Sequence, residues 1–166
     1  MGSNMVDSQS LFLRYLTQLK KIVQKVPDEL FSSSLSEDMF SLEMHAKIAA
    51  NFTLRGYCPL NGIEPVSLFE DQSGKAPVLK QIQATLDMLG EASIHQQFDD
   101  SNMLVDKAGF AEVKLKESEF IHCYIVPNIL FHISMVYAIA RANGVPLSKG
   151  DFDGLHSYPA GFSWVK

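Results

Sequence analysis

The sequence predicts an all-α fold: a bundle of four helices with a crossover connection, a small β-hairpin before the last helix and an irregular C-terminal tail. Three observations carry this. Four separate stretches repeat apolar residues every three to four positions, which lays an apolar stripe along a helix. Between the third and fourth stretches the pattern changes to strand-like alternation. The most apolar stretch, Phe120 to Asn143, has no formally charged residue before Arg141, and the other segments read as its cover.

The first helix is expected from about Ser8 to Val26. Phe12, Tyr15, Leu16, Leu19, Ile22, Val23 and Val26 form its apolar face, with Arg14, Gln18, Lys21 and Lys25 opposite. Pro27 ends it. Residues 1–7 are expected to be disordered, and the opening MGSNM resembles a tag remnant or an alternative start. A Ser-rich connector follows, with one short turn at Asp28–Phe31. Within it Ser34 and Glu37 fit a capping box for a helix starting there or a few residues later.

The second helix is expected from Met39 to Tyr57, with Leu42, His45, Ile48, Ala49 and Phe52 facing inward. Cys58-Pro59 breaks it, and Asn61-Gly62 signals a turn. Residues 64–74 form a loop long enough to be the crossover. Pro77 suits the first turn of a third helix built on Val78, Leu79, Ile82, Leu86 and Leu89. Met103-Leu-Val-Asp106 and Phe110 to Leu115 alternate on either side of Lys107-Ala-Gly109, a hairpin signal.

Ser118 is the expected cap of the fourth helix, and Pro127 should bend it. Ile121, Ile125, Asn128, His132, Met135, Ile139 and Ala142 recur at alternating steps of four and three, the seam of a packed helix. Leu130, Phe131, Ile133, Val136 and Tyr137 make the same helix apolar off the seam, so more than one side needs cover. Asn143-Gly144 with Pro146 stops it. The tail from Leu147 to Lys166, carrying Phe152, Tyr158, Phe162 and Trp164, is expected to wrap over a neighbouring surface as extended chain.

At 166 residues, 46% hydrophobic and 20% charged, the chain reads as one globular domain. A net charge of −5 argues against a nucleic-acid partner, which needs a basic footprint. Cys58 and Cys123 form no ligand or disulfide pattern, so a reducing cytoplasmic location is expected. Cys123 reads as a buried small hydrophobe, and Cys58 has no base adjacent in sequence that would make it a nucleophile. Phe120 to Ala140 meets the length of a membrane span. It also contains His122, Pro127, Asn128, His132 and Ser134, so a buried helix is the better reading and no membrane partner is expected.

The candidate site is polar residues on core stripes: His45 on the second helix, Asn128 and His132 on the fourth. Asn128 and His132 are four apart and stack on one face. Buried groups of this kind must find partners, since an unsatisfied one costs about 1–3 kcal/mol. His122, near the helix start, reads as exposed or half-buried. His95 and His156 fall in loops, and Glu70, Asp71, Asp99 and Asp100 read as solvated loop carboxylates.

Four helices, a crossover, and His45 with Asn128 and His132 resemble the DinB/YfiT-like bundle superfamily. Asp38-Met-Phe40, Pro127-Asn-Ile-Leu-Phe-His132, Asn143-Gly-Val-Pro-Leu147 and Asp151-Phe152 resemble an uncharacterised bacterial family within it. The likeness runs from Leu11 to about Gly154. The superfamily holds a divalent metal (nickel, zinc or manganese) between one His of the second helix and a His-x-x-x-His pair of the fourth. Here Asn128 stands where the first His of that pair would be, and an amide oxygen is a poor ligand for zinc or nickel.

Two functions follow. In the first, the chain is non-catalytic, binding a small ligand in the bundle or acting as an interaction module and homodimer. His45, Asn128 and His132 then form a polar core network and no cofactor is expected. In the alternative, implied by the resemblance, it is a metal-dependent transferase of a low-molecular-weight thiol with His45, Asn128 and His132 around the metal. The ion would lower the pKa of the bound thiol.

Overall fold

The computed structural model describes residues 7–91 and 97–165, and it contains five helices and one two-stranded antiparallel sheet. Helix α1 spans Ser8–Lys25, α2 spans Leu42–Leu60, α3 spans Lys75–Gly90, α4 spans Glu117–Ala142 and the short α5 spans Lys149–Asp153. Strands β1 (Met103–Ala108) and β2 (Ala111–Lys116) pair in the register Met103 to Lys116 and Ala108 to Ala111. The expected hairpin is therefore present.

Helix α1 begins at Ser8, and its cap falls on the last residue of the stretch expected to be disordered. Asp7 is its N-cap, accepting from the Ser10 backbone N–H; residues 1–6 lie outside the described part. Pro27 closes α1, and a single 3-10 turn follows at Asp28–Leu30.

The start of α2 corrects the Ser34–Glu37 capping box. Ser34 Oγ instead donates to the Ser36 carbonyl, and Ser41 caps the helix by accepting from Met44 N–H at 3.3 Å. The far end corrects the break at Cys58-Pro59. Helix α2 runs through Pro59 to Leu60, because a proline in the last turn forfeits only one hydrogen bond near an end that already has free carbonyls.

Helix α2, not α4, is the most enclosed element. It packs against α4, α3 and α1, while α1 and α3 pack on each other. Ala46, Ala49, Ala50 and Gly56 are small enough to let neighbours approach on several sides. Gly56 marks the tightest approach: a Cβ there would lie 2.8 Å from Ile125 Cγ2 and 3.0 Å from Phe12 Cζ. Even Lys47 is buried, donating to the carbonyls of Glu70 and Gln72 at 2.6 and 2.7 Å and thereby pinning the 61–74 loop.

Helix α4 opens differently from expectation. Its first turn is capped from outside: Asp100 accepts from Ser118 N–H at 3.0 Å and from Ser118 Oγ at 2.8 Å, so Ser118 is capped rather than capping. Phe120–Ile125 forms a π-helical stretch immediately before Pro127. A π turn takes up an extra residue, and here Phe120, Ile121, Tyr124 and Ile125 are all buried. The buried stripe then runs by fours and a three through Ile129, Ile133, Val136 and Ala140. The expected seam holds at Ile121, Ile125, His132 and Ile139, which are buried, and is corrected at Asn128 and Met135, which sit half-buried at its edge, and at Ala142, which is exposed. Cys123 also falls on the outer face and is exposed, whereas Cys58 is fully buried. By length and composition alone α4 could cross a membrane, as a core helix also could; here one side is packed on α2.

The tail is not wholly irregular. Ser148 and Asp151 form a reciprocal capping box for α5, which ends at Gly154 in the left-handed conformation (φ 69°). Helix α5 docks on α1, and this corrects the place of Gln18. Expected on the solvated face, Gln18 is buried, donating to the Asp151 carbonyl at 3.2 Å and the Gly150 carbonyl at 3.4 Å. Lys25 pairs with Asp151 at 2.6 Å beside it.

Candidate functional site

Helices α2 and α4 bring two imidazoles together. His45 Nδ1 and His132 Nδ1 are 2.9 Å apart, a hydrogen bond in which one ring donates to the other. Both are buried, at 2% and 8% exposure. Burial, followed by the nearby His45 ring, lowers the His132 pKa to about 4, and burial lowers that of His45. A proton on both facing nitrogens would set two N–H groups head-on, so the two rings cannot both be charged, and burial disfavours the charged form of each.

Aromatic rings enclose the pair. Phe52 stacks on His132 with centroids 5.8 Å apart, and Phe131 stands edge-on to His132 at 5.1 Å. Phe40 stands edge-on to His45 at 5.8 Å. Phe40 and Phe131 remain 56% and 51% exposed, so they form the outer rim of a closed site. His45 Nε2 is buried with no hydrogen-bond partner.

Behind Phe52 lies a second polar cluster that the sequence pattern does not suggest. Arg55 stacks over Phe52 at 4.3 Å, and its Nε donates to Asp106 Oδ2 at 2.8 Å. Its Nη2 donates to Tyr124 Oη at 2.7 Å, and Tyr124 Oη donates to Asp106 Oδ2 at 3.1 Å. Burial raises the Tyr124 pKa to about 12, with Asp106 adding to the rise and Arg55 opposing it. Asp106 reaches this cluster because strand alternation turns it inward with Leu104 and Ala108. That alternation was the available signal; the pairing with Arg55 crosses too much chain to be read from it.

The structure brings together two of the three candidate residues. Asn128 is turned away, its Nδ2 donating to the Tyr124 carbonyl at 2.7 Å on its own helix. A helical spacing of four gives the same side of the helix, but the side chain's rotamer selects its partner. His122 is exposed, edge-on to Phe98 at 5.2 Å. His95 lies outside the described residues. His156 contacts Asp153 through Nδ1, and the backbone N–H groups of His156 and Leu155, with that ring, hold the Asp153 carboxyl at about 2.

The loop carboxylates do more than meet solvent. Asp99 ties Ser101, Asp100 caps α4, and Glu70 pairs with Lys80 at 2.8 Å.

The donor set does not fit the three-ligand metal centre that the resemblance implies. Among the described residues, the imidazole nitrogens that converge are the two Nδ1 atoms of His45 and His132, each already the other's partner. Among the described residues, no group of three or more His, Cys, Asp or Glu side chains is placed to hold a metal ion.

Known proteins place the chain further. Curated proteins provide no match. Among solved structures it is similar to a DinB family member protein from Shewanella denitrificans, 26% identical, with a TM-score of 0.75 over 92% of each chain. Residues 4–153 match the family described as "Domain of unknown function (DUF1993)". That match takes in all four long helices and the hairpin, and the chain belongs to the DUF1993 family.

Proposed function

We infer that this chain is a non-catalytic DinB-like four-helix bundle of one domain, working by binding a small ligand or a protein partner. In this reading the His45–His132 pair is a neutral element of its core. The observation that carries it is the 2.9 Å contact between the two Nδ1 atoms. A ligand set meant for a cation would present its nitrogens to a common point with further donors around it. Here each nitrogen is satisfied by the other, and burial holds both rings neutral. The network is narrower than the sequence implied, because Asn128 pairs with the backbone instead.

A homodimer belongs to the same reading. Phe40 and Phe131 are half-exposed and each meets the His45 ring edge-on, and an apolar rim of this kind is what a second copy would cover. The net charge of −5 supports the absence of a nucleic-acid partner, and the two free cysteines support a cytoplasmic location.

The alternative, a metal-dependent thiol transferase, draws on one observation. His45 Nε2 is buried without a partner, on a ring that meets a second imidazole from the helix the DinB resemblance would predict. Metal content separates the two readings. Protein purified without a histidine tag or chelator should retain no stoichiometric metal and show no saturable uptake of nickel, zinc or manganese. Near-stoichiometric metal that disappears in His132→Ala, with the fold intact by circular dichroism, would overturn the non-catalytic reading.

A further inference from the structure

The C-terminal chain folds back on the end of α4 and encloses a cleft that shares no residue with the histidine pair. Its volume is about 720 Å³, within the size range of small-molecule sites. One wall is aromatic. Tyr158 and Phe162 lie nearly parallel with centroids 5.4 Å apart, and Trp164 stands edge-on to Phe162 at 5.1 Å and to Tyr158 at 6.3 Å. Trp164 is 82% exposed, which leaves much of the indole open to a ligand. Tyr137, from α4, lines the cleft as well and also lines a smaller recess of about 160 Å³.

The other wall is cationic. Arg141 and Lys149 both line the cleft, and neither has a carboxylate partner among the described residues. Among the described residues, Arg141 makes one long hydrogen bond, to the Val145 carbonyl at 3.5 Å. Among the described residues of the lining, Asp151 carries a carboxylate, and it is already engaged by Lys25 at 2.6 Å and by the Ser148 N–H at 2.7 Å. Two cations without a carboxylate partner among the described residues, beside stacked rings, are a local positive site on a chain whose net charge is −5.

We propose that this cleft binds a small aromatic anion, its planar ring stacked against the Tyr158–Phe162–Trp164 wall and its carboxylate or phosphate held by Arg141 and Lys149. Guanidinium and ammonium groups pair with both kinds of anion, the guanidinium through two parallel N–H donors. Exposed aromatic faces accept a flat ring by offset or edge stacking. The neutral parts of such a ligand bind to the tail and the charged part to α4 and α5, so occupancy would tie the tail to the helices.

Trp164 is the chain's single tryptophan, so its emission reports directly on this cleft. The full chain is titrated with 2-naphthoate, 2-naphthyl phosphate and the neutral 2-naphthalenemethanol, following Trp164 emission and, independently, heat by calorimetry. Saturable binding of at least one anion is expected, about tenfold tighter than the alcohol, and weakened about tenfold in Arg141→Gln and in Lys149→Gln. Preference between the two anions identifies the charged group. Both cations are exposed, so neither variant should disturb the fold, which a thermal melt verifies. No saturable binding of either anion, equal binding of the alcohol, or affinities unchanged in both variants would overturn the proposal. Because the experiment leaves His45 and His132 untouched, such a failure is separate from that of the core-pair reading.

Discussion

Replacing His132 by Leu should flatten the pH dependence of stability. Burial, then the neighbouring His45 ring, holds the folded imidazole at about 4, against about 6.5 in an unfolded chain. The folded pKa is depressed, so as pH falls below about 6.5 the unfolded state takes up a proton that the folded state refuses. The contribution is therefore complete above pH 6.5, drains as pH falls, and is lost once pH passes below about 4. The limiting slope is about 1.4 kcal/mol per pH unit, which accumulates to about 2 kcal/mol at pH 5 and about 3 kcal/mol at pH 4. His45, also lowered by burial, adds in the same direction.

At pH 8 the His132→Leu variant should itself be less stable by about 1–3 kcal/mol, because His45 Nδ1 loses its partner inside the core. Between pH 8 and pH 5, however, it should lose about 2 kcal/mol less than the parent. Urea unfolding followed by far-ultraviolet circular dichroism at pH 8, 6.5, 5.5 and 5 measures both quantities. Parallel pH profiles for parent and variant would refute the reasoning, since they would place the proton uptake elsewhere.

Three further outcomes test the packing. Gly56→Ala should lower the melting temperature. Its Cβ would meet Ile125 Cγ2 at 2.8 Å, and overpacking of about 1–3 kcal/mol exceeds the gain of about 1 kcal/mol in helix propensity, so a rise would count against the close α2–α4 approach. A double-mutant cycle on Arg55→Ala and Asp106→Ala should give a coupling of about 1 kcal/mol, given that both side chains are about a fifth exposed; strict additivity would mean that the hairpin is not anchored through this pair. Phe131→Glu should convert the expected dimer to a monomer in light scattering coupled to size exclusion, and an unchanged mass would remove the rim from any interface.

What the sequence determined by itself was local. Pro27 ending α1, Pro77 in the first turn of α3 and the stop at Asn143-Gly144 are properties of a few neighbouring residues, and so is the alternation from Met103 to Lys116. The presence of His45 and His132 on inward stripes was legible for the same reason, because a helical period needs no knowledge of the partner.

What met what was decided only in the tertiary structure. Asn128 shares a side of α4 with His132, yet its amide turns back to the Tyr124 carbonyl, a choice made by rotamer and local backbone. The π turn before Pro127 broadened the buried face, adding Ile129, Ile133, Val136 and Ala140 beside His132 and Ile139, an irregularity that a fixed period cannot contain. Arg55 found Asp106 across the hairpin, and Gln18 found the carbonyls of α5 far along the chain. Hydropathy nominated α4 as the most enclosed helix, but small residues allowed α2 to be approached from three sides. Apolar composition shows that a segment can be buried; how completely it is buried depends on how closely its neighbours can approach, and that is set by side-chain volume at contacts distant in sequence.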